Sequence, residues 1–213
     1  MGKKIAIYGA GTIGACQATL TSGNGYSTVV IGHSEEGLSR CRNTMLQNWN
    51  DLIAQKLATA ANRRAAMDLV TITNDVSALR DCDIVFEAVS EDVNIKQRVY
   101  SIITEVCGRD IIVVSTTSSI DAAILAEKIE NPARFLIAHP FQPVHMLPLV
   151  EVVRHTETSE ETLNQVCTLL KDLNRQVVML NRSVPGFLVN RFAQALFRES
   201  IYLIEQGITT AAD

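Results

Sequence analysis

His139 and Glu151 stand twelve residues apart, each beside an apolar run. His139 closes the stretch Arg134-Phe135-Leu136-Ile137-Ala138 and is followed by Pro140 and Pro143, which stiffen the loop beyond it. Glu151 is the one carboxylate in Pro148-Leu149-Val150-Glu151-Val152-Val153. A carboxylate buried in such a run needs a partner. A hairpin-like connection would make that partner His139. A carboxylate on one ring nitrogen orients an imidazole and leaves the other nitrogen for proton transfer, which is general acid–base chemistry.

A second set of residues suits a phosphate-bearing cofactor. Lys4 to Tyr8 is an apolar run of strand type that feeds Gly9-Ala10-Gly11-Thr12-Ile13-Gly14, and a small-residue, helix-compatible stretch follows. This is G-x-G-x-x-G in the strand–turn–helix setting that a dinucleotide site requires. Gly9 makes the tight turn, Gly11 lets the backbone approach a pyrophosphate, and Gly14 lets helix and strand pack closely. The backbone N–H groups around Thr12 and Ile13 then face the phosphates at a helix N-terminus.

A dinucleotide fold ordinarily places an acid at the end of the second strand to bind the adenosine ribose. Here Thr28 to Ile31 runs into Gly32-His33-Ser34-Glu35. A Gly32-His33 turn would not repel a 2′-phosphate, and Arg40 and Arg42 follow, so NADP is admitted beside NAD. The alternative is that Glu35 or a backbone group binds the ribose of NAD.

These residues must be positioned by elements, and the chain supplies them. Strands are expected at Leu69–Thr73, Asp83–Val89, Asp110–Ser115 and Arg175–Leu180, alternating with helical stretches. Glu36 to Ala66 reads as a protruding helical hairpin with Met45, Leu46, Trp49, Leu52, Ile53 and Leu57 as its stripe. In an open parallel sheet, ligands lie beyond the carboxyl ends of the strands. That places Ser90, Glu91 and Lys96 near a cofactor, and four hydroxyls, Thr116-Thr117-Ser118-Ser119, stand at the carboxyl end of the next strand. Ser118 or Ser119 is expected to cap the helix that follows.

The chain has 213 residues, 47% hydrophobic and 20% charged, enough for a sizeable core. A net charge of −4 gives no basic surface for nucleic acid or an anionic membrane. Five scattered cysteines, never in C-x-x-C spacing, argue against a zinc site or a disulfide framework and fit a reducing cytoplasm. No apolar run approaches the ~18 residues of a membrane helix. A cytoplasmic protein without a metal is therefore expected.

The chain resembles the 3-hydroxyacyl-CoA dehydrogenase family along its whole length. The resemblance rests on the glycine turn, Phe86-Glu87-Ala88-Val89-Ser90-Glu91 through Lys96, the Thr-Ser-Ser turn, the His-x-Phe-x-Pro loop, the Pro-Leu-Val-Glu-Val strand and Pro185-Gly186-Phe187-Leu188-Val189-Asn190-Arg191. It implies a Rossmann-type, doubly wound α/β domain with a mainly parallel sheet over residues 1–183. Residues 184–213 would be the opening of a truncated all-α domain that binds substrate and forms a homodimer. It implies His139 as acid–base paired with Glu151, Ser118 on the substrate's reacting oxygen, and Asn190 holding substrate from the helical segment. The cofactor set would be Gly9, Gly11, Thr12, Ile13, Gly14, Gly32, His33, Ala88, Glu91, Lys96 and Thr116.

Three positions depart from the family pattern. Gly32 replaces the ribose acid, Thr116 replaces an asparagine, and Gln142 replaces another asparagine. The Leu147-Pro148-Leu149-Val150-Glu151 form is closer to the carnitine and gulonate dehydrogenase branch. The expected substrate is thus a 3-hydroxyacyl-CoA or a free 3-hydroxy acid. An inactive dinucleotide-binding relative is the reading from outside enzymology.

Overall fold

The computed structural model describes residues 3–213. Eight strands form one sheet: β1 (Lys4–Tyr8), β2 (Ser27–Ile31), β3 (Val70–Thr73), β4 (Ile84–Glu87), β5 (Ile112–Ser115), β6 (Phe135–Pro140), β7 (Leu149–Arg154) and β8 (Gln176–Leu180). Their order is β3-β2-β1-β4-β5-β6-β7-β8. All neighbours are parallel except β6 and β7, which run antiparallel. The order reverses between β1 and β4, and that switch point opens a crevice at the strand ends. The fold is the doubly wound, mainly parallel α/β sheet expected from the sequence.

The inner strands are apolar on both faces because helices cover both. Ile5 and Ile7 face one core with α1 (Thr12–Gly23) and α6 (Glu160–Asp172). Ala6, Val85 and Val113 face the other, with α4 (Val93–Cys107) and α5 (Ala122–Ala126). Each fully buried aliphatic side chain contributes ~1.5–3 kcal/mol. On α6, Leu163, Val166, Leu169 and Leu170 are all buried, as is Leu173 just beyond it, as their spacing requires.

The stretch 36–66 resolves into α2 (Glu35–Ala54) and α3 (Ala60–Asp68). Thr59 starts α3 through a capping box with Asn62. The buried stripe of α2 is Leu38, Cys41, Met45 and Trp49, packed on α1, whereas Leu46 and Leu57 are exposed. The expected stripe was drawn one helical face too wide. All five cysteines are free thiols, and burial pushes Cys41 and Cys82 up to about 11, so both stay protonated.

A second correction concerns the hydroxyl run. Neither Ser118 nor Ser119 caps α5; the Asp121 carboxylate does, accepting from Ala123 N–H at 2.8 Å. Thr117 Oγ1 instead turns back to accept from Ile120 N–H at 3.1 Å. The hydroxyls of Ser118 and Ser119 instead donate to Glu91 Oε1, at 3.2 and 3.4 Å.

Two glycines of the first turn show why side chains are excluded there. Gly9 has φ +129°, and an added Cβ would stand 2.3 Å from the Ala88 carbonyl oxygen. At Gly14 a Cβ would stand 1.8 Å from the Gly9 carbonyl oxygen. Gly14→Ala is expected to lower stability by about 1–3 kcal/mol, the usual cost of overpacking. Gly11→Ala, whose Cβ meets nothing within 4 Å, should change it by less than about 1 kcal/mol. Urea denaturation of both variants checks the contrast.

Candidate active site

His139 and Glu151 face each other in the antiparallel register of β6 and β7. Directly opposed residues in a sheet project to the same face. His139 Nδ1 lies 2.9 Å from Glu151 Oε2, with the histidine 6% exposed and the carboxylate fully buried. Glu151 Oε1 accepts two more bonds, from the N–H groups of Leu188 and Val189, both at 2.9 Å. These groups open α7 (Val189–Glu205), which has no side-chain cap of its own. Glu151 therefore caps a helix with one oxygen and holds the histidine with the other. The carboxylate accepts at Nδ1, so that nitrogen carries the proton and Nε2 is left as the base.

Phe141 and Phe187 enclose the imidazole, with ring centroids 4.7 and 5.5 Å from it. Phe187 is fully buried at φ +49°, a left-handed conformation that tertiary packing imposes on a bulky residue. Sequence reasoning missed it; the Pro185-Gly186 turn before it was the available signal.

A cavity of about 440 Å³ opens beside His139. Its walls include Ile13, Ala88, Glu91, Lys96, Thr116, Ser118, Gln142 and Asn190. Ser118 is fixed from two sides: its N–H donates to Glu91 Oε1 at 2.9 Å, and its carbonyl accepts from Asn190 Nδ2 at 3.3 Å. Asn190 thus bridges the start of α7 to the β5–α5 turn. Gly32 and His33 lie elsewhere, at the end of β2, linked to the glycine turn by Gly9 N–H donating to the Ile31 carbonyl at 2.9 Å.

The floor of the cavity rests on a buried carboxylate, Glu87, that sequence reasoning did not single out. Glu87 is 0% exposed and accepts four bonds. They come from Lys96 Nζ, Tyr100 Oη and Ser115 Oγ at 2.8 Å and from Val89 N–H at 2.9 Å. Lys96 and Tyr100 are one helical turn apart on α4, so they share a face. A lone carboxylate in the apolar run of β4 carried the same signal as Glu151. Burial, then the charge of Glu87, push the Tyr100 phenol well above its ordinary value.

Lys96 also reaches Glu91 Oε2 at 3.3 Å. Burial opposes ionisation of Glu91. The Thr117 hydroxyl, the Lys96 ammonium and the Ser118 N–H outweigh it and hold the carboxyl below its ordinary value. Lys96 is therefore a shared counter-ion, and the hydroxyl turn hangs on Glu91.

The glycine turn fits a dinucleotide. α1 starts after Gly11 with no side chain bonded to its first N–H groups. Those donors need acceptors. The face of Gly11 is open, since a Cβ there would meet nothing. A pyrophosphate could approach the donors there, as a helix N-terminus favours. Among the described residues, no group of three or more His, Cys, Asp or Glu could hold a metal ion, and no helix is long and apolar enough to cross a membrane.

The fold and site define a dinucleotide-binding α/β domain with a carboxylate-held histidine at its strand ends. Residues 4–183 match the family described as 3-hydroxyacyl-CoA dehydrogenase, NAD binding domain. The chain belongs to that family. It is 31% identical to an L-carnitine dehydrogenase of Bacillus cereus over 99% of this chain and 64% of that protein. It is 32% identical to 3-hydroxyadipyl-CoA dehydrogenase of Escherichia coli over 96% of this chain and 43% of that protein. The crystal structure of M. tuberculosis FadB2 superimposes with a TM-score of 0.93 at 30% identity, covering 99% of this chain and 74% of that one. The chain thus spans under two thirds of the length of these two curated relatives.

Removing Glu87 alone would leave the buried Lys96 ammonium with only the partly exposed Glu91, at 3.3 Å, as counter-ion. Glu87→Ala is expected to cost about 3–5 kcal/mol in urea denaturation. Glu87→Leu combined with Lys96→Met should recover part of that loss, because the buried ammonium is gone with its main partner.

Proposed function

We propose that this chain carries out reversible hydride transfer at the 3-hydroxyl or 3-keto carbon of a 3-hydroxyacyl substrate, with NAD(H) as cofactor. The observation that carries this is the 2.9 Å contact between His139 and the buried Glu151, at the edge of a cavity lined by Ser118 and Asn190. NAD, when bound, supplies the hydride acceptor. In the oxidative direction His139 Nε2 takes the proton from the 3-hydroxyl. Glu151, fixed by two backbone N–H groups, keeps the ring in place and stabilises the imidazolium that forms. Ser118 holds the reacting oxygen, and Asn190 holds substrate from α7. General acid–base participation is worth about 10²–10⁴-fold. Placing the reacting carbon supplies much of the rest.

The acyl-CoA form of the substrate is supported by the 3-hydroxyadipyl-CoA dehydrogenase relative. A free 3-hydroxy acid is the second reading, favoured by the L-carnitine dehydrogenase at 31% identity. The test is oxidation of NADH by acetoacetyl-CoA, with acetoacetate as the control lacking the CoA handle. Turnover of the CoA ester alone is the expected result, and His139→Ala should lower kcat by at least about 10²-fold while leaving NADH binding intact. Retained turnover in that variant would remove His139 from the mechanism. Turnover of neither compound, followed by turnover of carnitine or gulonate, would select the second reading.

The same reading makes residues 184–213 a helical segment whose apolar face is covered by a second copy of the chain. Phe192, Leu196 and Phe197 are 62, 71 and 62% exposed on α7. Such a contiguous apolar face marks an interaction surface. Light scattering should give a dimer; a monomer over a wide concentration range would sink the assignment.

A further inference from the structure

Gly32 occupies the position where a dinucleotide fold ordinarily carries the ribose acid. Packing explains the glycine. A Cβ at 32 would stand 2.6 Å from Leu38 Cδ2 and 2.8 Å from the Ala10 Cβ. Leu38 is a buried residue of α2 and could rotate only at a cost to the core. The Ala10 methyl cannot move without moving the glycine turn. The space an aspartate would need is already filled.

The next carboxylate is Glu35, the first residue of α2. It is exposed, yet it is not loose: its Oε1 accepts from Asn74 Nδ2 at 3.1 Å. Asn74 directly follows β3, whose last residue accepts from Gly32 N–H at 3.0 Å through its carbonyl. The Glu35–Asn74 bond therefore spans the carboxyl ends of β2 and β3. This is the half of the crevice on the far side of β1 from His139, where the adenosine of a dinucleotide lies in a doubly wound fold. The nearest arginine in sequence does not offset the charge. Arg40 is paired with Glu36 one turn down the helix.

We propose that Glu35, tethered by Asn74, is the carboxylate that holds the adenosine ribose hydroxyls, and that it makes this chain prefer NAD(H) to NADP(H). The assignment rests on the dinucleotide reading above. A carboxylate is an acceptor-only group and suits a diol that donates. A 2′-phosphate would bring a second anion against Glu35, while Arg40 is paired with Glu36. Leu38 and Ala10 fill the ordinary place of that carboxylate, and Glu35, three residues further along, is the next one in the chain.

The experiment is titration of the chain with NADH and with NADPH, followed by cofactor fluorescence and without substrate. The unaltered chain should bind NADH at least about tenfold more tightly, the scale of one charge-assisted hydrogen bond. Glu35→Gln should shrink that preference about tenfold, through weaker NADH and stronger NADPH binding. Asn74→Ala should shrink it less and in the same direction. Both changes lie on the surface, and an unchanged melting temperature establishes that each variant is folded. Equal or tighter NADPH binding by the unaltered chain would overturn the assignment, as would an undiminished preference in folded Glu35→Gln. Binding of neither cofactor would overturn the dinucleotide reading itself, and the assignment with it.

Discussion

The architecture of the site turns on one buried carboxylate with two obligations. Glu151 has no solvent to stabilise its charge, so its oxygens must be satisfied by the protein. One is bonded to His139 and the other to the N–H groups of Leu188 and Val189 that open α7. Three separate elements, β6, β7 and α7, are thereby held around a single point. The position of α7 fixes Asn190 against Ser118 and drives Phe187 against the imidazole. A helix N-terminus favours negative charge, so capping α7 and holding the histidine reinforce each other.

A second buried carboxylate plays the matching part on the other side of the cavity. Glu87 gathers Lys96, Tyr100 and Ser115, and Lys96 passes the connection to Glu91. Glu91 then holds the hydroxyl turn from Thr117 to Ser119. Desolvating these charges is costly, and the ion pair offsets that cost only because every partner is in place. The return is a rigid floor: Ser118 is placed by a chain of bonds that begins in the sheet interior.

Much of this was legible in the residue order. The glycine turn, the alternation of apolar strands with helices, and the His139–Glu151 spacing pointed to the fold and to the buried contact between those two side chains. Family resemblance supplied Ser118 and Asn190, whose types alone are uninformative. Glu87 was as visible as Glu151, since it closes an apolar strand as Glu151 interrupts one, but two of its partners lie on a helix and its role emerges only when α4 packs. The caps were misread because Ser118 and Ser119 have good capping chemistry in isolation. Glu91, from another loop, competes for their hydroxyls, and Asp121 takes the cap.

What the sequence by itself determined is the periodicity and the punctuation: which stretches extend, which coil, where glycine is obligatory, and which polar groups stand in apolar surroundings needing a partner. These follow from local sterics and from the cost of burying unpaired polar groups. What only the tertiary structure decided is which partner each group takes and which positions are closed to a side chain. Gly32 is the clearest instance. Its neighbours Leu38 and Ala10 come from different elements, so the exclusion exists only once β2, α2 and the glycine turn are packed together.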